Sequence, residues 1–265
     1  MGVLSQKVPS RFAFIVALIT LVSISTFSRA QEGTLDASPP KDITPQEIIK
    51  RFTAKEKEWK QVREHYSFQQ SIEVQEVAGT DVRSEYRQVA TITYSQGKPV
   101  KNVLLAPQGS MDVTKEDFQD LETRASFTIS TDELPQYNVT YAGSQKVDEL
   151  HCYVFDVVPK TIEKDQRYFQ GRIWVDDQDL QIVKNRGKSV PDIRTGKKKK
   201  MKENLFPEFT TWRQVVDGKY WFPAYSSADD TLHFTRNDLH LKEKLKFTDY
   251  KKVESAPPAA TKIAR

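Results

Sequence analysis

The side chains able to do chemistry are few, and their spacing argues against most reactions. The four histidines, His65, His151, His233 and His240, form no HExxH or comparable pattern. No two of them sit three or four residues apart, so no helical turn presents a pair to a metal. Asp176-Asp177 and Asp229-Asp230 are the conspicuous paired carboxylates. Adjacent residues on a strand point to opposite sides, and both pairs read as lying near turns, which does not suit shared acid-base work. The single cysteine, Cys152, lies in Leu-His-Cys-Tyr-Val-Phe, a run apolar on both faces. That setting suits a buried thiol, whereas a nucleophile needs an open, electropositive one. One cysteine also excludes an internal disulfide and a cysteine-built zinc site. No Gly-x-Ser-x-Gly, Walker or dinucleotide loop occurs. The sequence therefore predicts no enzyme, no cofactor and no metal.

The densest charge is the run Arg194 to Lys202, with Lys197, Lys198, Lys199 and Lys200 at its centre. Near an anionic leaflet each such lysine is worth ~1 kcal/mol. The run is therefore a candidate membrane or partner contact, and equally a solvated loop. It is not interleaved with aromatic residues, so a nucleic-acid partner is not indicated.

The chain of 265 residues is 38% hydrophobic, 11% aromatic and 29% charged. It is too aromatic for a disordered chain and too polar for a multi-span membrane protein. Residues 1–30 read as a cleavable signal peptide. Lys7 and Arg11 precede the apolar run Phe12 to Ile24, and Ser28-Arg29-Ala30 offers small residues before the cut. The run is shorter than the ~20 residues a spanning helix needs. Export is therefore expected. The full chain carries a formal charge of +4, and without the leader's three basic residues it falls to +1.

Residues 31–43, with Pro39-Pro40, read as a flexible linker. Thr44-Pro45-Gln46-Glu47 is a helix start, with Thr44 as cap, Pro45 in the first helical position and Glu47 closing a capping box. Ile48, Ile49, Phe52, Trp59 and Val62 then recur at helical spacing, predicting an amphipathic helix over roughly 45–62. From Tyr66 the period becomes two. Strands are predicted from Tyr66, around Tyr86 to Tyr94, at Val100 to Ala106, and at 137–147, 150–158, 168–176, 180–184, 209–216, 220–226 and 239–250. Thr114 to Thr123 interrupts them as a short, barely amphipathic helix, and Asp217-Gly218 marks a hairpin turn. Residues 254–265 read as a disordered tail. The expectation is one mainly β (α+β) domain over 44–253, an antiparallel sheet of roughly ten strands. A sheet that large curls.

The stretch Gly171-Arg172-Ile173-Trp174-Val175-Asp176, followed by Leu180 to Lys184, resembles a recurring strand pair of the LolA/LolB-like outer-membrane lipoprotein-sorting family. Lys219-Tyr220-Trp221-Phe222-Pro223 and Leu245 to Lys252 are similar to later strands of that family, in the same order. The resemblance is clearest over 150–253. It implies a single unclosed β-barrel with helical lid insertions and a non-enzymatic periplasmic role. That role is carrying the acyl chains of lipoproteins or lipids toward the outer membrane, between an inner-membrane donor and an outer-membrane acceptor. An RseB-like lipid or lipoprotein sensor on the same scaffold is the alternative. The expected cavity lining is Phe68, Ile72, Val74, Ile92, Tyr94, Leu241, Leu245 and Phe247, and the expected lid is Ile48, Phe52 and Trp59 of the first helix. A monomer with at most peripheral membrane contact is expected.

Overall fold

The computed structural model describes residues 32–95, 97–163, 166–195 and 202–253. The leader, the tail and Lys197 to Lys200 lie outside the described residues.

Helix α1 spans Pro45–Val62, and Thr44 accepts a hydrogen bond from the Glu47 amide at 3.2 Å. The second half of the expected capping box is replaced. The Glu47 carboxylate accepts from Arg51 Nε at 2.8 Å instead of turning back to the cap. A positive partner one turn along competes successfully for a carboxylate on an exposed face. The chain then enters a long meander, β1 (Tyr66–Ala78), β2 (Asp81–Ser95) and β3 (Lys98–Gly109). Helix α2 (Lys115–Ser126) follows, with a full capping box between Thr114 and Asp117. A second meander comprises β4 (Tyr137–Val147), β5 (Leu150–Pro159), β6 (Tyr168–Asp176) and β7 (Ile182–Val190). The small hairpin β8 (Ile193–Thr195) and β9 (Lys202–Asn204) precedes β10 (Phe209–Val216), β11 (Tyr220–His233) and β12 (Asp238–Lys252).

Ten of these strands form one antiparallel sheet in the order β3-β2-β1-β12-β11-β10-β7-β6-β5-β4. The first and last of that order do not pair, so the sheet is an unclosed barrel. Strands β7 and β11 run beyond the expected ends at Lys184 and Ser226, because pairing with β6 and β12 continues along them. Asp229 and Asp230 consequently lie inside β11 rather than near a turn. The two meanders leave β3 and β4 at opposite edges, so the connection between them must cross a face of the sheet. Helix α2 is that crossing.

Both helices pack on the same face, over different halves. Ile48 and Phe52 of α1 join Phe155, Val157, Phe169, Ile173 and Ile182 in one buried cluster. Leu121 of α2 joins Phe68, Ile72, Ile92, Leu245 and Phe247 in another. Thr114→Ala removes one half of the α2 capping box, and the expected cost is about 1 kcal/mol. Equilibrium urea unfolding checks this.

The segment expected to form a flexible linker lies along the β4 edge. The Gly33 amide donates to Lys146 O at 2.8 Å, and Asp36 and Ser144 exchange backbone bonds at 2.8 and 2.7 Å. Leu35 packs against Val147, Cys152 and Trp174. Glu32 pairs with Lys184, a lysine 1% exposed between the rings of Trp174 and Trp212. The Pro-Pro signal obscured these two anchors, an apolar side chain and a counter-ion. The opposite edge, β3, carries Val100, Val103, Leu104 and Leu105 partly exposed. Lys98, Pro99, Pro107 and two register shifts against β2 make it a poor template for strand pairing.

Candidate functional site

The residues that sequence reasoning marked as lining fall together in one place. Phe68, Ile72, Val74, Ile92, Leu241, Leu245 and Phe247 are buried in a single cluster, with Tyr94 packed against it. Their sharing of a face follows from register: Ile72 opposes Leu245, and Phe68 opposes Ile92. Of the residues marked as lid, only Trp59 borders this cluster, through Tyr250 and Arg63. Ile48 and Phe52 cover the β5–β7 half, and Trp59 packs with Tyr66 and Phe222. The cover over the lining residues is supplied instead by α2, through Leu121 and Phe118, with Met111 and Val113 before it.

Between α2 and the sheet lies a cavity of about 170 Å³. Val74, Leu121, Phe206, Leu232, Phe234 and Leu241 supply apolar wall. Of the eight expected lining residues, Val74 and Leu241 reach this cavity, and the others belong to the same cluster without bordering it. A space of ~150 Å³ holds a molecule the size of benzene. Anything longer needs α2 to move outward.

Helix α2 is tied to the sheet by buried charge as well as by apolar contact. Arg124, 1% exposed, donates to Asp120 one turn earlier and to Glu243 on β12. The Ser189 hydroxyl of β7 donates to the other Asp120 oxygen. Burial pushes the Glu243 carboxyl above its ordinary range, and the Arg124 guanidinium pulls against that rise. For Arg124 burial works against the charge, but Glu243 and Asp120 outweigh it and keep the guanidinium protonated.

Helix α1 is fastened differently. Glu56 takes two bonds from Arg213, at 2.9 and 3.1 Å, and a third from the Thr128 hydroxyl at 2.7 Å. Arg213 also donates to Phe127 O at 2.8 Å, and its guanidinium lies 4.9 Å from the centre of the Trp59 ring. Both partners are almost wholly buried. With Ile48, Phe52 and Trp59 below it, α1 has a large apolar anchor as well as the ion pair. Helix α2 presents only Leu121 and Phe118 as large apolar side chains.

These charged positions were absent from the sequence reading, yet each had a signal. Glu56 falls four residues after Phe52 and three before Trp59, on the apolar stripe. Glu243 interrupts the alternation Leu239, Leu241, Leu245, Phe247 on the inward side. Asp120 and Arg124 are one turn apart around Leu121.

The other chemical candidates are occupied structurally. The Cys152 thiol is buried, and burial, with Asp176 and Asp177 nearby, pushes its pKa up to about 12. It is therefore a thiol rather than a nucleophile at neutral pH. The Asp176 carboxylate accepts the Gln178 and Asp179 amides in its turn. Asp229 bonds His240 Nε2 at 2.6 Å, while Asp230 accepts the Glu208 amide at 3.0 Å.

No protein-family model matches the sequence, and no curated protein matches it. Among solved structures, the chain is similar to a DUF1329 family protein from Desulfovibrio piger, 12% identical with a TM-score of 0.40, over 81% of this chain and 96% of that one. It is also similar to a LolA superfamily protein from Nitrosomonas europaea, 14% identical with a TM-score of 0.35, over 81% of this chain and 96% of that one.

Proposed function

We propose that this chain is an exported, non-enzymatic carrier that holds an acyl chain of a lipoprotein or lipid between α2 and the inward face of β1, β2, β11 and β12. The observation that carries the reading is the cavity with an apolar wall under a helix that is tied to the sheet through Leu121, Phe118 and the Arg124 cluster. The sequence resemblance over 150–253 supports the same reading and favours the periplasm as its compartment. Each methylene that leaves water contributes ~0.8 kcal/mol, so a chain of a dozen carbons binds without covalent chemistry. The cavity supplies the first part of that burial, and lifting α2 opens the rest of the cluster from Leu121 to Phe68. Helix α1 stays fixed and closes the other half of the sheet. Cargo would be received from an inner-membrane donor and released outward.

A neutral fluorescent apolar probe, 1-N-phenylnaphthylamine, tests the site. The purified chain is expected to enhance its emission saturably, and Leu241→Asp to weaken binding about tenfold or more while the far-ultraviolet spectrum stays sheet-like. Unchanged binding by the variant would place the probe elsewhere and overturn the assignment of this cavity.

A further inference from the structure

The cavity under α2 has a second property, its sign. Its described lining contains five ionisable residues, Glu76, Asp112, Asp117, Asp120 and Glu243, and every one is an acid. No lysine, arginine or histidine is among the described lining residues. Two guanidiniums lie behind the lining: Arg124 is paired with Asp120 and Glu243, and Arg167 stacks 4.3 Å from the centre of the Phe206 ring. Asp120 and Glu243 are buried at the floor, while Glu76 and Asp117 are half-buried and Asp112 is exposed, forming the rim. Glu76 accepts from the Ser84 hydroxyl at 2.7 Å, and Asp117 from the Thr114 amide at 2.9 Å, so both are held in place.

An amphiphile that enters tail first leaves its polar end among the rim carboxylates. A carboxylate or phosphate there meets like charge, and an ammonium meets its complement. From this we infer that the cavity selects long-chain amphiphiles whose polar end carries a positive charge, an amine above all, and discriminates against fatty acids. This rests on the acyl-binding reading and adds the class of headgroup to it. The selectivity belongs to the rim of an apolar cavity, so it acts only on ligands that have an apolar tail to anchor them.

The test compares three amphiphiles with the same twelve-carbon tail: dodecylammonium, dodecyl maltoside and dodecanoate. Each displaces 1-N-phenylnaphthylamine from the purified chain at pH 7, low salt and concentrations below micelle formation. The expected order of affinity is ammonium, then maltoside, then carboxylate, with roughly tenfold between the two ions, as expected for one charge several ångströms from a partly solvated rim. The gap should shrink in 1 M salt, because the rim is open to screening. Asp112→Asn combined with Glu76→Gln should shrink it too and leave the maltoside unchanged. Equal affinity for all three, preference for the carboxylate, or a gap that survives the double variant overturns the inference while acyl binding stands. Failure of all three to displace the probe overturns the acyl-binding reading, and the headgroup inference with it.

Discussion

Arg213→Met lowers the free energy of unfolding by about 3–5 kcal/mol, the usual consequence of removing one partner of a buried ion pair. The loss arises because Glu56 stays behind, about 1% exposed, with its bidentate partner gone. The Thr128 hydroxyl at 2.7 Å and the Ile182 amide at 3.4 Å remain, but two neutral donors do not replace a guanidinium. The Phe127 carbonyl loses its donor as well, and that residue begins the segment running beneath α1. Replacing both charges, in Glu56→Leu with Arg213→Met, is expected to recover much of the loss, because no uncompensated charge is then buried. Denaturant unfolding of the two variants and their parent measures the effect. A loss below about 1 kcal/mol in the single variant would mean that α1 is held by its apolar face alone.

Arg124→Met is expected to cost a similar amount at pH 7, about 3–5 kcal/mol, and to make stability depend on pH in the opposite sense from ordinary acid denaturation. The variant leaves Asp120 and Glu243 buried together without their shared cation. In the parent, burial already raises the Glu243 carboxyl above its ordinary value of 4.5. A carboxyl raised by folding contributes stability below that ordinary value and loses the contribution as pH rises through the folded value. Without Arg124 the folded value rises further, so the loss reaches toward neutral pH. The difference in unfolding free energy between parent and variant should therefore be largest near pH 7 and shrink as the solution is acidified. A pH-independent difference would show that the carboxyls do not take up a proton in the variant fold. The same substitution loosens α2, so probe uptake by the cavity should become faster than in the parent.

Much of the fold was legible because its signals are local and repeated. The alternation from Phe68 to Val74 gives a strand and its buried side without further knowledge. Thr44, Pro45 and the stripe through Trp59 fix α1 at Pro45–Val62. The Asp217-Gly218 signal falls in the three-residue turn between β10 and β11, and both residues take positive φ, 52° and 66°. The eight residues expected to line a cavity share one cluster, because a shared strand face is a matter of parity, but only Val74 and Leu241 border the cavity. What was not legible depends on which half of the sheet each helix covers. That is decided by topology: β3 and β4 finish at opposite edges, and the connection carrying α2 must pass over the β1–β2–β12 half. No periodicity within 114–123 encodes that route. The barely amphipathic pattern of 114–123 does not reveal how α2 is attached either. Its attachment comes from Arg124 meeting Glu243, 119 residues away along the chain. The strap at Glu32 to Asp36 was hidden likewise, since its counter-ion Lys184 and its edge strand lie far along the sequence.

The central claim is that the space under α2 holds an acyl chain. It is tested most directly by exporting the protein, purifying it without detergent, and analysing it by native mass spectrometry and by extraction for lipid mass spectrometry. The account predicts one stoichiometric acyl-bearing species per chain, reduced in Leu241→Asp. Protein that carries no lipid, and that after delipidation takes up neither 1-N-phenylnaphthylamine nor a fluorescent acyl probe, would contradict it and show a filled core beneath a fixed α2.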